Sequence, residues 1–268
     1  MNNLQGKVAI ITGGAGALGG VMAAGLAKKS VKVAILGRTA STVQAKVDAI
    51  KTAGGAAIGL VADVLNQEQL ETARQNILEE WGKIDILVNA AGGNMKGATI
   101  MPEDSFFDMN MDDFDAVTKL NLKGTVLPTI VFGKQMAEQG AGNVINISSM
   151  AAQQALTRVV GYSTSKASID IFTKWLAVEM AQKHAEKIRV NAIAPGFFIG
   201  EQNRRLLLNE DGSLTARGNT IVANTPMKRF GEAKELLSTL YWLCDDNSSF
   251  ITGIVVPVDG GFSAFSGV

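Results

Sequence analysis

The chain has 268 residues, of which 47% are hydrophobic and 19% are charged, so its composition is that of a folded globular protein. Its 25 basic residues balance 25 acidic ones, which argues against a surface for nucleic acid or an anionic membrane. The polar N-terminus leads straight into an apolar strand, no apolar run is long enough to span a membrane, and the single cysteine, Cys244, excludes an internal disulfide. These features predict a cytoplasmic protein.

Short apolar strands and helical segments alternate along the chain from its beginning. Strands are predicted at residues 7–11, 31–36, 57–62, 84–89, 143–147, 189–193 and 254–258. Helices are predicted at residues 17–29, 41–53, 67–81 and 114–136, and a helical segment precedes each of the last three strands. No repeat or linker divides residues 1–268. Repeated βαβ units predict one α/β domain, a Rossmann-type doubly wound parallel sheet with helices on both faces.

A glycine-rich stretch, ITGGAGALGG, occupies the first strand-to-helix turn. Gly14, Gly16 and Gly19 match the spacing G-x-G-x-x-G, but the match alone is weak in a chain with 29 glycines. Glycines here would let the backbone approach a pyrophosphate, whose charge would be met by amide N–H groups at the helix N-terminus. A tight turn with small residues for helix packing is the alternative. The position between a strand and a helix favours nucleotide binding.

Two further strand ends carry candidate binding residues. Asp63 ends the third strand, where its carboxylate could accept a hydrogen bond from an adenine amino group. A helix N-cap or a loop carboxylate is the alternative for Asp63. The run Asn-Ala-Ala-Gly at residues 89–92 ends the fourth strand, where small side chains would let a flat ring pass the backbone. That run could also be a simple turn.

The stretch GYSTSK begins a helix and holds Tyr162 and Lys166, four residues apart and therefore on one helix face. A lysine ammonium close to a phenol would stabilise the phenolate and lower the tyrosine pKa toward neutrality, as proton transfer at physiological pH requires. Ser149, after the strand VINI, could point its hydroxyl into the same cleft. For an isolated Y-x-x-x-K pair, a half-buried tyrosine and a solvated lysine are the alternative.

In this order, the motifs resemble those of the short-chain dehydrogenase/reductase family, from residue 7 to the closing VDGG at 258–261. The positions that carry the resemblance are Thr12, Gly13, Gly19, Asp63, Asn89, Ala90, Ala91, Gly92, Asn121, Ser149, Tyr162, Lys166, Pro195 and Gly196. The family's glycine pattern is T-G-x-x-x-G-x-G, so the literal G-x-G-x-x-G match is out of register. Ala17 stands where the family usually has a glycine, and we interpret its methyl group as tolerated in helix packing.

The resemblance implies an enzyme that transfers hydride between a nicotinamide cofactor and a carbonyl or secondary alcohol, without a metal. Tyr162 would be the general acid or base, and Lys166 would lower its pKa and bind the nicotinamide ribose. Ser149 would hydrogen-bond the substrate oxygen, and Asn121 would hold a water that links Lys166 to solvent. The implied cofactor-binding residues are Gly13, Gly16, Ala17, Leu18, Gly19, Arg38, Asp63, Val64, Asn89, Ala90, Gly92, Tyr162, Lys166, Pro195, Gly196 and Phe198.

The same resemblance leads us to expect a homotetramer or a homodimer that acts on a small molecule. A non-catalytic dinucleotide-binding module is the alternative from another functional class. The intact set Asn121, Ser149, Tyr162 and Lys166 favours the enzyme, because a lapsed site has no chemical need for these residues.

The choice between NAD and NADP depends on Gly37 and Arg38, which follow the second strand. A carboxylate there would bind the 2′-hydroxyl of NAD, whereas an arginine favours the 2′-phosphate of NADP. Arg38 therefore favours NADP on charge alone. The alternative is that Arg38 is solvated and does not contact the cofactor, in which case NAD is also possible.

Two segments, 93–109 and 197–229, lengthen the core after strand ends, where ligand loops of α/β sheets gather. The second resembles the lid of family members of the D-mannonate oxidoreductase (fructuronate reductase) type, although Gly200 replaces their common threonine. This resemblance implies an open-chain sugar acid as substrate; another keto sugar, a polyol or a ketoacyl compound is the alternative. The expected substrate-binding residues are Ser149, Arg158, Gln202, Asn203, Arg204 and Arg205, with an arginine pairing the carboxylate.

Overall fold

The computed structural model describes residues 4–200 and 203–267. Within them the strands are β1 (Val8–Thr12), β2 (Lys32–Gly37), β3 (Ala57–Val61), β4 (Ile86–Asn89), β5 (Gly142–Ile147), β6 (Ile188–Pro195) and β7 (Val255–Val258). The α-helices are α1 (Ala17–Lys28), α2 (Ala40–Thr52), α3 (Gln67–Trp81), α4 (Met111–Thr118), α5 (Gly124–Gln139), α6 (Val160–Lys183), α7 (Arg204–Leu207), α8 (Ala216–Ala223) and α9 (Leu236–Cys244). Each predicted strand is present, with its ends shifted by no more than a residue or two.

The seven strands form one parallel sheet in the order β3-β2-β1-β4-β5-β6-β7. The strand order reverses between β1 and β4, because the chain runs outward from β1 to β3 and then returns to pair β4 with β1. Ligands of doubly wound sheets bind at the carboxyl ends of the strands beside such a reversal. The predicted fold class is confirmed, and the glycine stretch follows the strand at the reversal.

Each face of the sheet is covered by its own helices, and alternate residues of a strand pack on opposite faces. In β1, Ala9 and Ile11 pack with α1, α2 and α9, while Val8 and Ile10 pack with α3, α5 and α6. All four side chains are at most 1% exposed. A strand buried on both faces has to be apolar at every position, which explains why these strands are recognisable as continuous apolar runs.

The predicted helix at 114–136 is wrong as a single element. The structure has α4, then a π-helical turn at Lys119–Lys123, then α5. Within the turn, the Asn121 side chain donates to the carbonyl oxygen of Val117 at 2.8 Å, and the Asn121 carbonyl accepts from the Thr125 hydroxyl at 2.8 Å. Such turns occur in α-helices mostly at functional sites. This one places Asn121 at the carboxyl edge of the sheet.

Candidate active site

The glycine turn between β1 and α1 is held against the end of β4 through backbone contacts. The Thr12 hydroxyl accepts hydrogen bonds from the backbone N–H groups of Ala90 and Ala91 at 3.1 and 3.2 Å. Gly13 has φ of 63°, and a Cβ added to it would lie 2.9 Å from backbone atoms of the same two alanines. A Cβ on Gly19 would lie 2.4 Å from the Gly13 carbonyl oxygen. Only glycine fits either position.

The turn therefore presents bare backbone in front of the N-terminus of α1, which begins after Gly16 without any side-chain cap. Uncapped N–H groups at a helix N-terminus, beside a glycine turn, suit the pyrophosphate of a dinucleotide. The geometry fits the predicted use of Gly13, Gly16, Ala17 and Gly19, and Leu18 packs beside the core on the same helix turn.

Asn121 fixes the start of the segment 93–109. Its side-chain amide donates to the Gly93 carbonyl oxygen at 2.7 Å and accepts from the Gly93 N–H at 3.1 Å. A Cβ added to Gly92 would lie 2.6 Å from Asn121 Oδ1 and 3.5 Å from Lys166 Nζ. Asn121, Gly92 and Lys166 therefore meet at one point, as expected for residues of one site.

Ser149, Tyr162 and Lys166 also come together. Ser149 caps the turn after β5, where its hydroxyl accepts from the Ala151 N–H at 3.1 Å, and it hydrogen-bonds the Tyr162 hydroxyl. Lys166 is buried, donates to the Ile147 carbonyl oxygen at 2.7 Å, and has its Nζ 5.6 Å from the centre of the Tyr162 ring. The four residues of the predicted catalytic set thus share one site, although their roles stay predictions.

The pKa of Tyr162 differs from the sequence-based expectation. Burial raises the pKa of Tyr162 above its usual value, and the hydrogen bond with Ser149 opposes that rise. The Lys166 ammonium donates to the Ile147 carbonyl oxygen and lies over the ring, and burial is the larger influence on the pKa of Tyr162 in the protein chain alone. Burial also lowers the pKa of Lys166 itself to about 8, an effect that the charge of Asp170 partly offsets.

We expect the lowered Lys166 pKa to make the free energy of unfolding depend on pH. Between pH 8 and 10.5 the unfolded chain would bind more protons at this lysine than the folded one, so stability rises with pH across that window. At about 1.4 kcal/mol per pKa unit the rise is at most about 3 kcal/mol. Urea unfolding of the parent and of Lys166→Met at a series of pH values measures it. Parallel pH profiles for the two proteins would contradict the lowered pKa.

A buried polar network that the sequence analysis missed supports the site from below. Asn89 donates through its side-chain nitrogen to the Thr129 hydroxyl and to Asn146 Oδ1, at 2.8 and 2.9 Å. Asn146 donates in turn to the Thr173 hydroxyl of α6 at 2.9 Å. The Thr129 hydroxyl donates to the carbonyl oxygen of Thr125, the residue that bonds Asn121. Because buried polar groups are costly when unpaired, the network fixes α5 and α6 against the sheet.

The remaining predicted cofactor residues follow the carboxyl ends of the strands, and they differ in burial and hydrogen bonding. Asp63 Oδ1 accepts from the Leu65 N–H at 2.9 Å, as a loop carboxylate would, and Val64 is buried. Arg38 is exposed. Gly196 donates its N–H to the Val258 carbonyl oxygen at 2.9 Å, just after Pro195 ends β6, and Phe198 is buried. Their binding of a cofactor stays a prediction.

The predicted substrate residues lie on two segments. Arg158 is half-buried and precedes Tyr162 by four residues, whereas Arg204 and Arg205 on α7 are exposed. The amide of Asn203 is used within its own loop, accepting from the Gly200 N–H and donating to the Phe198 carbonyl oxygen, both at 2.8 Å. Gln202 lies outside the described residues.

Two departures from the family pattern face each other. A Cβ added to Gly200 would lie 3.6 Å from the Ala17 Cβ, an ordinary contact distance. Gly200, near the start of the segment 197–229, therefore lies beside the first turn of α1 at Ala17.

Among the described residues no helix is both long and apolar enough to cross a membrane. In the same part of the chain no three His, Cys, Asp or Glu side chains are grouped as a metal site would require. The expectation of metal-free chemistry stays a prediction.

Comparison with known proteins agrees with the fold. Residues 13–263 match the family model described as enoyl-(acyl carrier protein) reductase. The uncharacterised oxidoreductase UxuB of Bacillus subtilis strain 168 is 49% identical over 275 residues, which cover 99% of this chain and 98% of that protein.

Solved structures are similar over nearly the whole chain. A protein from Haemophilus influenza, provisionally assigned as a D-mannonate oxidoreductase and crystallised with bound NAD, is 42% identical with a TM-score of 0.93, covering 100% of this chain and 98% of that one. A gluconate 5-dehydrogenase from Burkholderia cenocepacia J2315, in complex with NADP and tartrate, is 28% identical with a TM-score of 0.84, covering 97% and 96%. The chain belongs to the short-chain dehydrogenase/reductase family and is an NAD(P)-dependent oxidoreductase.

Proposed function

We propose that this enzyme interconverts a keto sugar acid and the corresponding hydroxy acid, such as fructuronate and mannonate. The observation that carries the proposal is the half-buried Arg158, which lies four residues before Tyr162 in the loop that leads into α6 and has no acidic partner within the described residues. A guanidinium in that position suits the carboxylate of a substrate whose carbonyl reaches Tyr162. The 42% identity to the Haemophilus protein assigned to D-mannonate supports the same substrate class.

Each residue of the site would have a distinct part in such a reaction. The nicotinamide supplies or accepts the hydride when bound. Tyr162, kept protonated by its raised pKa, donates its proton to the carbonyl oxygen during reduction, and in oxidation it takes the proton back. Ser149 donates a hydrogen bond to the same oxygen and stabilises the alkoxide character that develops there. Lys166, whose ammonium lies over the tyrosine ring, would supply positive charge to the phenolate once the proton has left.

A panel of substrates tests the proposal. Fructuronate, fructose, a polyol, a neutral ketone and a ketoacyl thioester would each be assayed with both cofactors, and fructose serves as the control that lacks the carboxylate. A charge-assisted hydrogen bond contributes roughly 1.5–3 kcal/mol, so kcat/KM for fructuronate is expected to exceed that for fructose about ten- to a hundredfold. Efficient turnover of the neutral or ketoacyl compounds, with none of fructuronate or its isomers, would contradict the proposal.

For the cofactor we propose a preference for NADP, supported by the position of exposed Arg38 directly after β2. Arg38→Asp is expected to weaken NADP binding much more than NAD binding, because a phosphate partner is lost and a repulsive charge is added. Calorimetric Kd values for both cofactors check this. Arg38→Gln removes the pairing without adding the repulsion, so its Kd for NADP should fall between those of the parent and of Arg38→Asp. Equal losses for NAD and NADP would show that Arg38 does not meet the 2′ position.

We further propose a homotetramer or homodimer in the cytoplasm. Phe172, Leu176 and Met180 of α6 pack on the core. The opposite face of α6 exposes Ile171, Trp175 and Val178, each more than half exposed, and these support an interface between subunits. Sedimentation of Trp175→Glu against the parent protein tests the assembly: an unchanged mass would exclude this face.

A further inference from the structure

Arg217, which the sequence analysis did not single out, joins the segment 197–229 to the catalytic loop. It lies in the first turn of α8, and its Nη1 donates to the Thr157 hydroxyl at 3.3 Å across 60 residues of chain. Thr157 belongs to the loop between Ser149 and Tyr162. Arg217 is therefore brought beside Arg158, the residue that follows Thr157.

The positions of both arginines are fixed by backbone structure. Arg158 has φ of 77°, a conformation that L-residues rarely adopt, and its carbonyl oxygen accepts from the Ile100 N–H of the segment 93–109 at 2.9 Å. The Thr215 hydroxyl caps α8 by accepting from the Gly218 N–H at 3.0 Å, and it donates to the Leu206 carbonyl oxygen at 2.7 Å. Three separate segments thus converge on one arginine pair.

The two positive charges repel each other in a partly enclosed place. Both side chains are half-buried, and burial together with the charge of Arg158 lowers the pKa of Arg217. No carboxylate among residues 4–200 and 203–267 forms an ion pair with either. Two half-buried guanidinium groups without an acidic partner are stabilised when an anion lies between them.

Three other arginines have partners that account for them, whereas Arg38, Arg204 and Arg205 are exposed. Arg229 pairs with Glu235, and Arg74 with Glu71. Arg189 donates to three carbonyl oxygens, that of Leu243 in the last turn of α9 and those of Asp245 and Ile251 beyond it. The pair Arg158 and Arg217 differs from these because both are half-buried, and the one side-chain hydrogen bond that they form within the described residues goes from Arg217 to the neutral Thr157 hydroxyl.

We propose that Arg158 and Arg217 together bind the carboxylate of the substrate, and that Arg217 is the specificity-determining residue. The assignment rests on the proposed function, since it names the groups that would recognise a sugar acid at the same site. Binding the carboxylate between the two arginines would join α8 to the loop before Tyr162 and hold the substrate carbonyl at the tyrosine. Exposed Arg204 and Arg205 would then have no part in carboxylate binding.

The test measures the Kd of mannonate for the NAD(P)-bound enzyme by calorimetry, together with kcat and KM for fructuronate. Arg217→Gln and Arg158→Gln are each expected to weaken mannonate binding roughly ten- to a hundredfold and to raise KM more than they lower kcat. Arg217→Lys should recover part of the loss, because it keeps the charge without the bidentate geometry. Arg229→Gln removes a charge from the same segment, and its Kd for mannonate should stay within about twofold of the parent value. The cofactor Kd of every variant should also stay within about twofold of the parent value.

The outcomes separate this inference from the proposed function. Parent-like mannonate binding by Arg217→Gln would overturn the arginine pair even if fructuronate is reduced, and so would an equal loss in Arg205→Gln. Weaker mannonate binding in Arg217→Gln, in an enzyme that does not reduce fructuronate, would support the carboxylate site and reject the proposed reaction. A parent protein that binds no mannonate at all would overturn both.

Discussion

Tyr162→Phe is expected to lower kcat roughly 100- to 10,000-fold, because it removes only the hydroxyl that moves the proton. The ring would stay in place against Lys166, whose Nζ lies 5.6 Å from the ring centre. The Kd of the reduced cofactor is therefore expected to change by no more than about twofold. Steady-state rates and cofactor titration by fluorescence measure the two quantities.

The chain offers a matched control, since Tyr241 is its other tyrosine. Tyr241 lies on α9 beside Gly25 and Lys29, so Tyr241→Phe removes the same atom far from the site. Its kcat should equal that of the parent enzyme. If Tyr162→Phe also turned over within a few-fold of the parent, Tyr162 would not be the proton donor.

Gly19→Ala is expected to abolish tight cofactor binding. The new Cβ would lie 2.4 Å from the Gly13 carbonyl oxygen, which is backbone and cannot rotate away. The glycine turn would have to move, and with it the N–H groups at the start of α1. We expect cofactor Kd to rise more than about tenfold and the free energy of unfolding to fall by about 1–3 kcal/mol. Calorimetry and urea unfolding measure both.

Gly20→Ala is the control, because it adds the same methyl group one residue later. Its Cβ would meet the end of the Lys46 side chain at 2.8 Å, and that chain can swing into solvent. Parent-like binding is expected for Gly20→Ala. A Gly19→Ala protein with parent-like cofactor affinity would show that the turn does not hold the dinucleotide.

The sheet was predictable from the sequence for a physical reason. Strands buried on both faces are apolar throughout, so the runs KVAII and VKVAIL stand out from their polar surroundings. Tyr162 and Lys166 could be paired because four residues make one helical turn. Both inferences depend on local sequence alone.

Features that depend on contacts between distant residues could not be predicted in this way. The π-helical turn around Asn121 spans only five residues between two α-helices, which is too short a segment to be distinguished in the apolar pattern. The hydrogen bond from Asn89 to Asn146 joins neighbouring strands 57 residues apart in sequence. The role of Arg217 can be inferred only from its position beside Thr157 and Arg158, which lie on a different segment.

The pKa of Tyr162 illustrates the same limit for electrostatics. The spacing of Tyr162 and Lys166 predicts that they share a helix face, but it does not show where the lysine Nζ points. In the structure that nitrogen donates to the Ile147 carbonyl oxygen, and burial then dominates both groups. The spacing therefore indicates which groups meet, but not that burial raises the pKa of Tyr162.

The most direct test of the account follows the hydride itself. The enzyme would be given fructuronate and NADPH or NADH deuterated at the transferable hydrogen, and the product would be analysed by mass spectrometry. The account predicts mannonate, or an isomer of it, that carries one deuterium on the new carbinol carbon, and at least about a hundredfold less of it from Tyr162→Phe in the same time. Recovery of unchanged fructuronate from the parent enzyme, under conditions in which the same cofactor reduces a neutral ketone, would contradict it.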